Sequence, residues 1–143
     1  MSRHTKRLRE HIHGCIAAHT EVCQVLEAIG SGADASADGE TKVERLEVLL
    51  PGVCADARTL ERECDAIYAL LARLEITAPP LPITALRRSL ETVLVYVSVG
   101  QIERALTLVL ANLADWLAQL ASIHATLALA LEPLGFDLCE ESE

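Results

Sequence analysis

Apolar residues recur along the chain with alternating gaps of three and four, in four segments that glycine, proline or acidic stretches separate. In the first segment this spacing begins at Leu8 and ends at Ile29. It places one apolar seam along a helix. The pattern therefore predicts helix 1 over residues 3–29, with Gly30 as a left-handed cap at its end. The seam positions are Leu8, Ile12, Cys15, His19, Val22, Leu26 and Ile29.

Residues 30–40 are small, acidic and glycine-containing, and they show no apolar periodicity. They predict a flexible linker. Helix 2 is predicted over residues 41–75, because Thr41 and Glu44 have the spacing of a capping box.

The seam of helix 2 keeps its register through Pro51. A proline inside a helix removes a backbone donor and crowds the preceding turn. An uninterrupted register on both sides indicates one continuing rod, with either a kink or a break at Pro51. The seam positions are Val43, Leu46, Leu50, Val53, Ala57, Leu60, Cys64, Ile67, Leu71 and Leu74.

Residues 82–99 carry two competing patterns. Four valines alternate from Val93 to Val99 as in a strand, whereas Leu86, Leu90 and Val93 share one helix face. An isolated strand would have nothing to pair with, so we predict helix 3 over residues 82–99. Gly100 then predicts a tight turn between two helices.

Helix 4 is predicted over residues 101–132 and is apolar almost all round. Its seam positions are Ile102, Leu106, Val109, Leu113, Trp116, Leu120, Ile123 and Leu127, and its narrow polar stripe comprises Asn112, Asp115, Gln119, Ser122 and Thr126. A helix of this kind is expected to be covered on more than one side. The acidic residues 137–143 predict a disordered tail.

Together these segments predict one all-α domain over residues 1–143. We expect an elongated four-helix bundle of antiparallel hairpins with coiled-coil-like heptad seams, since a helix of 30 residues is about 45 Å long. Helix 3 is about half that length. Part of the seam of helix 1, 2 or 4 should therefore lie open and serve as a contact surface. The candidate partner-binding residues are Leu60, Ile67, Leu71, Leu113, Trp116 and Leu120.

Composition narrows the classes of function. Apolar residues make up 51% of the chain and aromatic residues only 3%, which is typical of helix-on-helix packing and not of a ligand cleft. The formal net charge of −9 disfavours nucleic acid as a partner. The five cysteines are scattered and odd in number, which indicates reduced thiols in a cytoplasmic or nuclear compartment.

Helix 1 offers the one local pattern suggestive of metal chemistry, with His11, Cys15, His19 and Cys23 at intervals of four. Imidazole and thiolate suit zinc or copper. Each step of four turns the side chain by about 40°, so the four cannot meet one ion. At best Cys15 and His19 would share a metal with a ligand from another helix. Asp115 and Trp116 are adjacent, but the sequence places no second carboxylate, nucleophile or phosphate-binding glycine loop to act with them. We therefore expect no enzyme activity and no cofactor.

The function we predict is a non-catalytic helical module for protein–protein interaction or scaffolding. It would be a homo-oligomer or a subunit of a larger helical assembly. One alternative is a metal-binding bundle that uses Cys15 and His19. The other is a membrane span over residues 105–131, which is long enough to cross a bilayer but carries Asp115 near its middle.

Overall fold

The computed structural model describes residues 3–32, 39–136 and 138, and it confirms an all-α fold. The helices are α1 (Arg3–Gly32), α2 (Gly39–Arg73), α3 (Ile83–Ser98) and α4 (Ile102–Leu131), with a short 3₁₀ turn at Glu132–Leu134. The region of alternating valines is helical, as the apolar face of Leu86, Leu90 and Val93 predicts, and all three of these side chains are buried.

Gly30 is not the left-handed cap that the sequence predicts. It lies inside α1, which continues to Gly32, and positive φ angles at described glycines occur only at Gly100 and Gly135. The glycine matters for a different reason: a Cβ atom at this position would lie 2.5 Å from Leu113 Cδ2 of α4. The absence of a side chain at Gly30 therefore lets α4 approach α1 closely.

The predicted linker and tail differ from the structure at their edges. Residues 30–32 and 39–40 are helical, and residues 33–38 lie outside the described residues. In the predicted tail over residues 137–143, only Leu138 is described, and its side chain is buried in the core. The apolar side chain at Leu138 explains this difference, since burial removes it from water.

Pro51 does not split the second helix, because α2 runs without a break from Gly39 to Arg73. Pro51 and Gly52 are exposed, as is Glu47 one turn earlier. The carbonyl of Glu47 loses its helical donor at Pro51, but on this open face water can replace that donor.

The predicted seams of α1 and α2 form the centre of the core. Every seam position of α2 from Leu46 to Leu71 is buried, and in α1 only His19 among the seam positions is half-buried. The two helices are antiparallel: the imidazole of His11 contacts the Glu63 carboxylate, while Arg45 donates to the Ala28 carbonyl at the other end.

Charged side chains join α2 to α3. Arg87 donates to Glu61 on α2 at 2.8 Å and to Glu91 on its own helix at 3.0 Å. Arg58 donates to Glu91 at 2.8 Å, and the Thr84 hydroxyl donates to Glu61. Arg58, Glu61, Arg87 and Glu91 thus form a charged bridge between α2 and α3.

Helix α4 closes the bundle against α3 and α1. The turn before it uses Gly100 at φ 79°, which confirms the predicted tight connection. Contacts of α1 with α4 and the segment after it extend from Arg9, whose guanidinium lies over the Phe136 ring, to Gly30 beside Leu113. Because α1 and α4 cover each other over this length, the expectation of an open seam is wrong. Among the predicted seam positions only Leu74, near the end of α2, is exposed.

Candidate protein interaction surface

The six predicted partner-binding residues belong to the chain's own core. Leu60, Ile67, Leu71, Trp116 and Leu120 are at most 1% exposed, and Leu113 is half-buried beside Gly30. A partner cannot reach side chains that the chain's own helices cover. Candidate contact residues must therefore be sought among the exposed apolar positions.

Trp116 lies on the buried seam of α4 and contacts α3 as well. Its ring is buried, and its indole N–H donates to the Ser89 hydroxyl of α3 at 2.9 Å. A buried indole needs such an acceptor, because leaving the N–H unpaired would carry a desolvation penalty. Trp116 is thus an anchor between α3 and α4.

The histidines and cysteines of α1 each have a separate partner. Cys15 faces Cys64 of α2 with the sulfur atoms 3.9 Å apart, and His11 contacts Glu63. His19 points instead to α4, where its Nε2 donates to the Leu120 carbonyl at 2.7 Å. Cys23 lies 3.8 Å from the other ring nitrogen of His19. Cys15 and His19 therefore do not converge on one point.

The described residues contain no group of three or more His, Cys, Asp or Glu side chains that could hold a metal ion. The thiols are also poorly disposed to bind as thiolates. The hydrogen bond between Cys15 and Cys64 and the burial of both raise the pKa of the Cys64 thiol, and burial raises the pKa of the Cys54 thiol to about 11. These observations favour structural thiols over the alternative reading of Cys15 and His19 as ligands.

His19 and His124 meet between α1 and α4, with ring centroids 5.6 Å apart. Burial lowers the pKa of His19, against the opposing effect of its bond to the Leu120 carbonyl, and His124 lowers it further. The cavity beside them, with Cys15 and Ile67 also in its wall, has a volume of about 10 Å³. A space of this size holds at most one water molecule, so it offers no ligand site.

A long uncovered stripe of small side chains lies on the side of α4 that faces away from the other helices. We call it the outer face. Its members are all exposed: Arg104, Thr107, Ala111, Ala114, Ala118, Ala121, Ala125, Leu129 and Glu132. Leu129 is 71% exposed, and Leu110 at the margin is 57% exposed.

The outer face has the same spacing as the buried seam of α4. From Arg104 to Ala125 the gaps alternate between three and four residues, which keeps one stripe in line along a helix. The two seams differ in side-chain size, since the buried one contains Trp116, Leu120 and Ile123. The outer one is built from alanine and bears a charge at each end, Arg104 and Glu132.

The seam predicted for helix 4 leaves this surface out, because its alanines are less apolar than the leucine, isoleucine, valine and tryptophan side chains that define that seam. Of the predicted polar stripe, Asp115 and Ser122 are exposed beside the outer face, while Asn112, Gln119 and Thr126 are half-buried. The signal that would have found the outer face is the alternating spacing of Ala111, Ala114 and Ala118, continued by Ala121 and Ala125.

Among the described residues, one helical stretch, Ile102–Leu134, is long and apolar enough by length and composition to cross a membrane. The core helix of a bundle passes the same test of length and composition. In α4 eight residues are buried, and the exposed ones lie mainly on the outer face.

No family model, curated protein or solved structure matches this chain.

Proposed function

We propose that this protein is a non-catalytic helical interaction module that binds another helical protein through the outer face of α4. The observation that carries the proposal is the row of exposed alanines from Ala111 to Ala125, continued by Leu129, on the side of α4 that faces away from the other helices. An exposed apolar surface of this length is costly in water, and a protein partner that covers it removes that cost.

The charged groups of the described residues also favour an interaction role over catalysis. Arg58, Glu61, Arg87 and Glu91 neutralise one another in the bridge between α2 and α3. His19 and His11 are engaged in hydrogen bonds that hold helices together. These groups are used for packing, whereas a catalytic acid or base must face a substrate in a cleft.

Asp115 favours a protein over a lipid bilayer as the partner of the outer face. Its side chain is exposed beside Ala118, about halfway along α4. Insertion scales place the cost of a central aspartate in a bilayer at about 2.5–3.5 kcal/mol, whereas at the rim of a protein contact the carboxylate keeps its water. A reducing cytoplasmic or nuclear location accords with this proposal, since the described cysteines are all free thiols.

Photo-crosslinking from the outer face tests the proposal. A benzophenone-bearing amino acid is placed at Ala118, and the matched control carries it at Ala69, an exposed alanine of α2. Irradiation in cells producing the chain should give a protein adduct from position 118 and not from position 69. Equal adduct formation at both positions, none at 118, or transfer of label from 118 only to lipid would overturn the proposal.

A further inference from the structure

We propose that the partner of the outer face is a second copy of this chain, bound antiparallel, with Ala118 of both copies on the two-fold axis. This inference rests on the proposed function, because it names the partner of the same surface.

A contact about a two-fold axis brings the same surface of each copy together, so that surface must be complementary to itself. In an antiparallel pair, positions equally far before and after the axis lie opposite each other. With Ala118 on the axis, Ala111 lies seven residues before it and Ala125 seven after, so alanine meets alanine. Side chains this small let two helices approach closely along their length.

The same register pairs the two charged ends. Arg104 lies fourteen residues before Ala118 and Glu132 lies fourteen after, so Arg104 of each copy falls opposite Glu132 of the other. The ion pair forms twice in the dimer. Asp115 falls opposite Ala121. The two aspartates are therefore about 9 Å apart along the direction of the paired helices, at 1.5 Å per residue.

A parallel pairing of the outer face gives the opposite result. It would place Arg104 against Arg104, Asp115 against Asp115 and Glu132 against Glu132. Like charges directly opposite one another destabilise a contact and suppress the wrong partner arrangement. The charge pattern therefore selects the antiparallel pair.

The surroundings of both charges suit this pairing. The exposed Arg104 guanidinium lies over the Tyr96 ring of its own chain, 4.7 Å from the ring centroid, and a guanidinium in such a contact can still donate to a carboxylate. Glu132 borders a shallow depression of about 290 Å³, whose apolar wall includes Leu129 and Phe136. The aliphatic stem of Arg104 from the second copy would lie in this depression while its head reaches Glu132.

A charge-swap mixture tests the register. Arg104→Glu alone and Glu132→Arg alone each turn two attractive pairs into two repulsive ones, so each variant should self-associate about tenfold more weakly than the wild type at low salt. An equimolar mixture of the two variants restores both opposite-charge pairs in the mixed dimer. Sedimentation equilibrium should therefore show the mixture recovering the wild-type affinity, and a mixture no stronger than either variant would overturn the register.

Cysteine cross-linking tests the axis directly. In a background with Cys23→Ser and Cys139→Ser, Ala118→Cys should give a disulfide-linked dimer under oxidised glutathione, which takes up the two electrons and two protons released by the thiols. Ala111→Cys alone should not cross-link, but it should when mixed with Ala125→Cys. Equal cross-linking of Ala69→Cys, or efficient self-linking of Ala111→Cys, would contradict a two-fold axis at Ala118.

The outcomes separate this inference from the proposed function. A dimer by light scattering, together with a photo-adduct from position 118 of twice the chain mass, supports both. A monomeric purified chain whose position 118 links to a different protein overturns self-pairing and leaves the proposed function standing. A monomer with no adduct from position 118 overturns both.

Discussion

The two faces of α4 have the same spacing and opposite surroundings. On the inner face, Val109, Trp116, Leu120, Ile123 and Leu127 are buried against the other helices. On the outer face, Ala111, Ala118 and Ala125 are exposed at equivalent positions of the repeat. The difference lies in side-chain volume, because large apolar side chains gain more free energy from burial than alanine does. Heptad spacing alone thus marks a surface fit for helix packing, and side-chain size decides which face the chain buries first.

The largest expected effect on folding comes from truncating the inner face at Trp116. Trp116→Ala should lower the free energy of unfolding by about 3–5 kcal/mol, because it leaves a cavity and removes the donor to Ser89. Urea denaturation followed by circular dichroism measures it. A loss below about 1 kcal/mol would mean that the inner face is not the core of this fold.

The same substitution on the two faces should have unequal effects. Ala105→Leu on the inner face, where the alanine is fully buried, should cost about 1–3 kcal/mol of folding stability through overpacking. Ala111→Leu on the outer face should change it by no more than about 0.5 kcal/mol. Both values come from denaturation at concentrations below self-association, and equal costs would remove the distinction between the faces.

Two helical glycines extend the comparison of covered and open positions. Gly52→Ala on α2 meets no atom within 4 Å, so it should stabilise the fold by about 0.5–1 kcal/mol through the higher helix propensity of alanine. Gly30→Ala should gain less or destabilise, because its Cβ would displace the Leu113 side chain. Thermal unfolding of both variants measures the difference, and an equal gain at Gly30 would argue against close approach of α1 and α4.

The smallest expected effect is a pH dependence of folding stability through His19, which lies beside the inner face of α4. The folded-state pKa of His19 is lowered from its ordinary value of 6.5, chiefly by burial, so the unfolded chain binds a proton more readily. Stability should therefore fall as pH decreases below about 6.5 and level off below the folded-state pKa. His19→Leu should flatten this part of the profile of unfolding free energy against pH. A wild type and variant with parallel profiles between pH 5 and 7.5 would assign the effect to other groups.

Much of the core was predictable from spacing, because α-helical periodicity depends only on local geometry. The buried positions of α2 from Leu46 to Leu71 follow directly from it. The contact residues were not predictable in the same way. The strong seams that include Leu60 and Trp116 predict partner contacts, yet these are the seams that the chain buries within its own core.

The spacing of the histidines and cysteines along α1 was less informative about their roles than the residues that they contact on other helices. His11, Cys15 and His19 share one helix, but Glu63, Cys64 and Leu120 on two other helices decide what each does. The sequence around Gly30 predicts a helix cap. In the structure, however, the role of Gly30 depends on its contact with Leu113, which is far away in the chain.

The sequence by itself determined the helical class, the positions of the helices to within about three residues and the registers of their buried seams, since these depend on interactions within a few residues. Only the tertiary structure decided that the seam of α4 around Trp116 and Leu120 is covered by the chain's own helices and not by a partner. It also decided that Pro51 lies on an open side of α2 and that the histidines and cysteines of α1 diverge to different partners. These features depend on how whole helices are placed against one another, and the free energy of that placement comes from contacts between residues distant in the chain.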